Sequence, residues 1–304
     1  ALEALGIGKG DRVATLAMNH GRHLVAWYGT AGMGGILHTI NPRLFDDQLE
    51  YIANHAEDRV LLYDRAFAPI VERMKPKWAS IEHYICFDPA EGEQGFPQWI
   101  AGHTGTYEWV EGDERDPLGL CYTSGTTGNP KGVLYEHRST MLHTLAEASP
   151  DIFNLSKRAV VLPIVPMFHA NAWGVPWAAP MVGCKLVLSA DYRPDRMCEL
   201  FREEGVTHSA GVPTVWLTMI EHIERTGEEL GDLKQVTIGG SAAPRAMIKW
   251  LLERGIEVGH AWGMTETSPI GTCGSRPQGW DEYSLEEKVD YIPRQGRPPF
   301  GVEL

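Results

Sequence analysis

The segment Tyr122-Thr123-Ser124-Gly125-Thr126-Thr127-Gly128-Asn129-Pro130-Lys131-Gly132 concentrates groups that hold phosphate. Its glycines permit positive φ and close backbone approach to a ligand, its threonines and serine supply hydroxyls, and its lysine supplies a point charge. Placed after an apolar strand, such a run predicts a cradle for a polyphosphate that has left water. A glycine-rich turn with incidental hydroxyls is the plainer description, but the unbroken T-S-G-T-T-G-x-P-K-G string favours phosphate. The Walker A pattern G-x-x-x-x-G-K-[ST] cannot be threaded here, because Lys131 is followed by Gly132 rather than a hydroxyl residue. A G-x-G-x-x-G turn is also missing: Gly239-Gly240-Ser241 run into Ala242-Ala243-Pro244, which leaves NAD binding unsupported.

Glu266, flanked by Thr265 and Thr267, follows an expected strand at the carboxyl edge where α/β sheets bind ligands. There it reads as a metal partner rather than a solvated charge. His169 lies in an apolar, proline-bracketed stretch and on its own reads as a hydrogen-bonded core histidine; Trp173 reads as core by the same reasoning. Cys121 is expected to be a buried strand residue. His20 and His23 suggest a polar helix face rather than a metal clip, since no third ligand is nearby. There is no H-E-x-x-H, and Gly239-Gly240-Ser241-Ala242-Ala243 is not a G-x-S-x-G elbow.

These residues need a scaffold, and the sequence predicts one of α/β class. Expected strands are Arg12 to Ala17, Arg59 to Tyr63, His83 to Phe87, Gly119 to Tyr122, Ala159 to Leu162, Lys185 to Leu188, Val206 to Ala210, Gln235 to Ile238 and Ile256 to His260. They alternate with segments of helical period, as in mostly parallel sheets covered by helices. Asp46 is expected to cap a helix burying Leu49, Ile52, Ala53 and Ala56. Pro213 is expected to start one with Val215, Leu217, Met219, Ile220 and Ile223 mostly inward. Ser284 and Glu287 form a capping-box pattern. Pro89 to Pro117 has weak periodicity and reads as a surface excursion between two α/β blocks, 1–117 and 118–304.

The 304 residues carry 27 Lys+Arg against 40 Asp+Glu, a net charge of −13, which disfavours nucleic acid or an anionic membrane as partner. At 43% hydrophobic and 22% charged the chain can bury one large core or two ordinary ones. The longest nearly apolar run, Ala159 to Phe168, falls far short of the ~20 residues of a membrane span. Five scattered cysteines suggest neither a disulfide framework nor a zinc site, and fit free thiols in a cytoplasmic protein. The chain opens at Ala1 without a basic-then-apolar leader, and reads as a fragment.

The string Tyr122 to Gly132 resembles the signature of the adenylate-forming superfamily: acyl-CoA synthetases, luciferases and the adenylation domains of peptide synthetases. Three further blocks match in order: Pro166-Met167-Phe168-His169-Ala170-Asn171-Ala172-Trp173, Gly239-Gly240-Ser241-Ala242-Ala243-Pro244, and Trp262-Gly263-Met264-Thr265-Glu266-Thr267-Ser268-Pro269. Within the superfamily, Asn41-Pro42-Arg43-Leu44 and Asn171-Ala172-Trp173 look most like medium- and long-chain fatty acyl-CoA synthetases. The implied fold is the layered αβαβα N-terminal domain of these enzymes without their small C-terminal domain.

The resemblance implies attack of a carboxylate on the α-phosphate of ATP with Mg²⁺, loss of pyrophosphate, and capture of the acyl-adenylate by coenzyme A. It assigns Thr126, Thr127 and Lys131 to the β- and γ-phosphates as a lid, Thr123 and Glu266 to Mg²⁺, and Thr265 to the α-phosphate. Gly240 and the His260-Ala261 backbone would line the adenine slot, with Ser124, Gly125, Gly128, Ser241, Ala242, Trp262 and Gly263 completing the nucleotide set. His169 becomes a gate beside the substrate carboxylate, and Trp173 a plug of the acyl tunnel. Position 260 is His where close relatives tend to have Gln. The ribose-binding Asp and the C-terminal Lys of the family lie beyond Leu304. Amino-acid-activating members place an Asp within the block Met167-Phe168-His169-Ala170; its absence fits an apolar acid. An aryl or amino-acid adenylation domain, or a non-catalytic nucleotide- or acyl-binding module, remain alternative readings. A homodimer is the assembly implied by analogy with long-chain relatives.

Overall fold

Apolar β-runs buried on both faces need helices above and below them. A computed structural model describing residues 1–103, 105–123 and 128–304 shows this in two compact units, Ala1–Thr140 with Met167–Asn171, and Met141–Pro166 with Ala172–Leu304.

The first unit runs β1 (Arg12–Leu16), α1 (Gly21–Gly32), β2 (Ile36–Thr39), α2 (Asp46–Ala56), β3 (Asp58–Tyr63), α3 (Ala68–Met74), β4 (His83–Cys86), α4 (Phe96–Ala101), β5 (Pro117–Thr123) and β6 (Lys131–Glu136); α5 (His137–Glu147) crosses the division. Its sheet has the order β4-β3-β1-β2-β5-β6, parallel except for the antiparallel β5–β6 pair. Val13, Ala14 and Leu16 on the central strand β1 are fully buried, as a strand covered on both faces requires. In α2 the four residues expected inward are all buried. Asp46 is not its cap but its first helical residue after Phe45, and its carboxylate instead takes both Nε and Nη2 of Arg73, at 2.7 and 2.9 Å. The stretch from 89 to 117 contains α4, whose Phe96 packs against Phe87 with ring centroids 5.0 Å apart.

The second unit runs β7 (Val160–Pro163), α6 (Val175–Val182), β8 (Lys185–Leu186), α7 (Pro194–Glu203), β9 (His208–Gly211), α8 (Pro213–Thr226), β10 (Gln235–Ile238), α9 (Arg245–Glu253), β11 (Glu257–Gly263), β12 (Ile270–Cys273) and α10 (Leu285–Tyr291). Its sheet order is β12-β11-β10-β9-β7-β8, parallel except for β11–β12. The core gathers Phe201, Trp216, Met247, Ile248 and Leu251 around β10. In α8 the buried residues are Pro213, Trp216, Met219 and Ile223, a helical stripe set by Trp216; Leu217, expected inward, is 43% exposed. The capping box of α10 forms: Glu287 N–H donates to Ser284 Oγ at 3.3 Å and Ser284 N–H to Glu287 Oε2 at 2.8 Å.

A block boundary at 117/118 does not match the sheets. β5 pairs with β2, Leu37 opposite Gly119 and His38 opposite Leu120, and β6 pairs with β5, so both strands extend the first sheet. Among the described residues, no helix is long and apolar enough to cross a membrane.

Candidate functional site

The phosphate-type signature leaves β5 and returns in β6. The two strands form an antiparallel ladder in which Tyr122 opposes Gly132 and Thr123 opposes Lys131. The connection is therefore a hairpin and not the strand-to-helix turn of a Walker loop, which agrees with the failure to thread that pattern. Thr123 is half-buried, Lys131 exposed, and Gly128 takes φ 93°, a left-handed value natural only to glycine. Ser124, Gly125, Thr126 and Thr127 lie outside the described residues.

Polar groups hold the root of this hairpin. Tyr122 OH and His55 Nδ1 share a 2.7 Å hydrogen bond, and the Tyr122 ring lies 5.1 Å from that of His38. Burial pushes the Tyr122 phenol upward, so it stays protonated. His38 Nδ1 meets Asp58 Oδ2 at 2.8 Å with both side chains fully buried, and desolvation still raises the Asp58 pKa against the pull of that imidazole.

The same unit holds Met167 to Asn171. Met167 N–H donates to Asn19 Oδ1 at 2.6 Å, and Asn171 Oδ1 accepts from Cys121 Sγ at 3.1 Å and Thr39 Oγ1 at 3.4 Å. Cys121 is buried, as expected for a strand residue, and burial moves its thiol up to about 11. His169 corrects the core reading: its side chain is exposed, and partial desolvation, then the charge of Arg43, lowers its pKa. His20 and His23 are not a polar face either. His20 Nδ1 caps α1 by accepting from His23 N–H, its Nε2 meets Asp64 Oδ1 at 2.7 Å, and His23 is fully buried against Met18 O and Thr15 Oγ1.

From Ala170 the backbone turns left-handed, with φ 43°, 55°, 48° and 56° through Asn171, Ala172 and Trp173, then 92° at Gly174. Each L-residue held there costs about 1–2 kcal/mol. Such strain collects at functional segments, and this one lies in the block whose resemblance implies the substrate gate.

In the second unit, β10 runs into Gly239 and Gly240, and β11 carries His260, Ala261, Trp262 and Gly263. A Cβ at Gly239 would lie 3.1 Å from Ala261 O and 3.2 Å from Trp173 Cη2, so the indole edge rests against Gly239. Trp173 is half-buried, neither free nor a full core residue. Gly240 has φ 81°, and Ser241 and Ala242 are exposed. His260 is 2% exposed, with Nδ1 3.3 Å from Pro293 O and Nε2 3.4 Å from Ser241 O. A neutral imidazole has one N–H and can satisfy only one of these carbonyls. Thr265 and Glu266 begin a 3₁₀ turn, Thr265–Thr267, directly after β11; Thr265 is half-buried and Glu266 exposed. Thr267 Oγ1 accepts from Met264 N–H at 2.9 Å and fixes that turn. The sequence-read residues thus fall into two sets, Thr123, Lys131 and His169 in the first unit, and Trp173, Gly240, His260, Thr265 and Glu266 in the second.

Two groups escaped the sequence reading. Cys198, His222 and Glu228 bring their ligand atoms within 4.8 Å of one another, from α7, α8 and the residues after α8. His222 Nε2 already bonds Glu228 Oε2 at 2.9 Å, and Arg225 faces its Nδ1 at 3.3 Å. Glu147, at the end of α5, is fully buried beside His143. A single Glu late in a helix reads as a solvated charge, so no local signal marks it.

Residues 1–304 match the family described as AMP-binding enzyme. The chain is 45% identical over 306 residues to a long-chain-fatty-acid–CoA ligase of Thermus thermophilus, covering 98% of this chain and 55% of that protein. It is 43% identical over 314 residues to a medium-chain-fatty-acid–CoA ligase of Ectopseudomonas oleovorans, covering 100% and 58%. A 3-methylmercaptopropionyl-CoA ligase of Ruegeria lacuscaerulensis is 42% identical over 314 residues, with the same 100% and 58% coverage. The inhibitor-bound N-terminal domain of FACL13 from Mycobacterium tuberculosis superposes with a TM-score of 0.84 at 27% identity, over 98% of this chain and 72% of that one. The chain thus spans little more than half the length of these ligases. With its four motif blocks in order, on two mostly parallel sheets that such an N-terminal domain shares, the chain belongs to the AMP-binding enzyme family.

Proposed function

We propose that the protein containing this chain is an ATP-dependent fatty acid–CoA ligase. It activates a medium- or long-chain acid as an acyl-adenylate and passes it to coenzyme A. The observation that carries this reading is the hydroxyl-rich hairpin opposing Thr123 to Lys131, in a chain 43% and 45% identical to medium- and long-chain ligases. In the adenylation step the protein's task is positioning and charge neutralisation around phosphorus.

Lys131, exposed at the hairpin root, and Thr126 and Thr127 bind the β- and γ-phosphates, joined by Ser124, Gly125 and Gly128. Thr265 binds the α-phosphate. Gly240, Ser241, Ala242 and the β11 residues His260 to Gly263 receive the adenine; the positive φ of Gly240 supports a close backbone approach there. Thr123 and Glu266 offer a hydroxyl and an exposed carboxylate, the hard oxygen donors that Mg²⁺ takes, and the ion would neutralise phosphate charge. His169 is exposed and readily neutral, which suits a gate at the acid carboxylate. Trp173, its indole edge against Gly239, plugs the acyl path, which a rotation of the indole opens or closes. The assembly is a cytoplasmic homodimer.

The test is acid-dependent ATP–pyrophosphate exchange with the full-length protein over acids of two to eighteen carbons. Exchange peaking at medium or long chains, followed by CoA-dependent thioester release, is the expected result. Exchange only with aryl or amino acids, or ATP binding without exchange, overturns the assignment.

A further inference from the structure

Glu147 ends α5 with no exposed surface, and among the described residues neither of its carboxyl oxygens has a hydrogen-bond partner; His143 Nε2 is equally unpartnered there. His143 Nδ1 and Glu147 Oε2 are 3.7 Å apart, beyond hydrogen-bond range. Three unsatisfied polar atoms at one buried place carry a desolvation penalty that native interiors rarely leave unanswered.

Their location suggests the answer. A Cβ on Gly174 would fall 2.5 Å from Glu147 Oε2 and 2.5 Å from His143 Cε1, so the Gly174 backbone lies directly on the pair. Gly174 ends the left-handed turn and immediately follows Trp173, whose indole edge rests against Gly239. The unsatisfied acid and imidazole therefore sit one residue behind the indole assigned above to the acyl path. Resting on that reading, we propose that Glu147, with His143, determines specificity at the far end of the acyl site, and that the preferred acid carries a hydroxyl group there rather than a plain alkyl end.

Chemistry selects the hydroxyl. Burial raises the Glu147 carboxyl well above its ordinary pKa and lowers that of His143 to about 4, each toward its neutral form. The Cys184 thiol, which senses the charge of Glu147, is itself pushed up to about 11, chiefly by burial. A neutral carboxyl and a neutral imidazole each donate and accept, and a hydroxyl does both. An alkyl terminus would leave the three atoms unsatisfied. An ammonium would require the buried acid to ionise.

The experiment compares kcat/KM for adenylation by the full-length protein of alkanoic, ω-hydroxyalkanoic and ω-aminoalkanoic acids of matched length, scanned carbon by carbon. The wild type is expected to prefer the hydroxy acid over its alkyl counterpart at least tenfold at one length. Glu147→Leu is expected to invert that ratio, and Glu147→Gln, which keeps a donor and an acceptor, to retain it; melting curves confirm that both variants fold. An alkyl or amino preference in the wild type at every length, or a ratio unmoved by both substitutions, overturns the inference and leaves the ligase assignment standing. Absence of turnover with every acid overturns both.

Discussion

Thr123 and Lys131 face each other as the last registered pair of the β5–β6 ladder, so the two roots of the signature connection are held about 5 Å apart by sheet geometry. Lys131 is exposed and its side chain supports no core. Lys131→Ala is therefore expected to lower pyrophosphate exchange by about 100-fold or more with an unchanged melting temperature. Parallel losses of activity and stability would instead make Lys131 part of the fold.

Glu266 is exposed on the turn after β11, so replacing it should leave folding intact as well. Glu266→Gln keeps the shape and removes the charge that suits a hard cation. A magnesium titration of exchange should shift to higher concentration and plateau roughly 100-fold lower. An unmoved titration midpoint would remove Glu266 from the metal.

Gly174 has a positive φ and no room for a side chain, because a Cβ would press on Glu147 and His143. Gly174→Ala should destabilise the protein by about 2 kcal/mol or more in urea unfolding. Glu147→Ala in the same chain should recover part of that loss, since the two sites share a contact and are not additive. Strict additivity would show that the strain is purely backbone.

Acid should weaken the fold through its buried imidazoles. Desolvation lowers the pKa values of His23, His143 and His208 to about 4. The unfolded chain takes up protons near pH 6.5 and the native state does not, so this stabilisation is present above that pH and lost as pH falls toward 4. Glu147 has the opposite sign: its raised native pKa favours the fold at low pH, and the benefit fades as pH rises past the ordinary carboxyl range. Melting temperatures should fall between pH 6.5 and 4, with a shallower fall in His23→Gln. Glu147→Gln should raise the melting temperature at pH 8 and not at pH 4; a gain of equal size at both would dismiss the linkage.

The alternation of apolar runs made most parallel strands legible, and β10 keeps the bounds the sequence suggests, Gln235–Ile238. β2 escaped because its buried His38 and Thr39 are polar, and their burial depends on distant partners such as Asp58 and Asn171. β6 was masked by its own chemistry: Lys131 and Gly132 read as a ligand loop and not as the start of a strand. Trp216 was passed over for Leu217 because neighbouring apolar residues on a helix cannot be ranked without knowing where the sheet lies. Motif residues could be named from local composition alone. Glu147 could not, because its burial comes from tertiary packing and no neighbour in sequence announces it.

The chain passes between its two compact units at 140/141, 166/167 and 171/172, so five residues of the first are spliced into the sequence of the second. No single breakpoint divides the gene into two pieces that each encode a whole unit. A fragment stopped at Thr140 lacks the Met167 amide that meets Asn19 and the Asn171 side chain that meets Cys121, while its complement carries both as orphans. Recombination between relatives is therefore expected to succeed when 141–172 travels as one cassette with its native first half, and to fail when that cassette is exchanged alone.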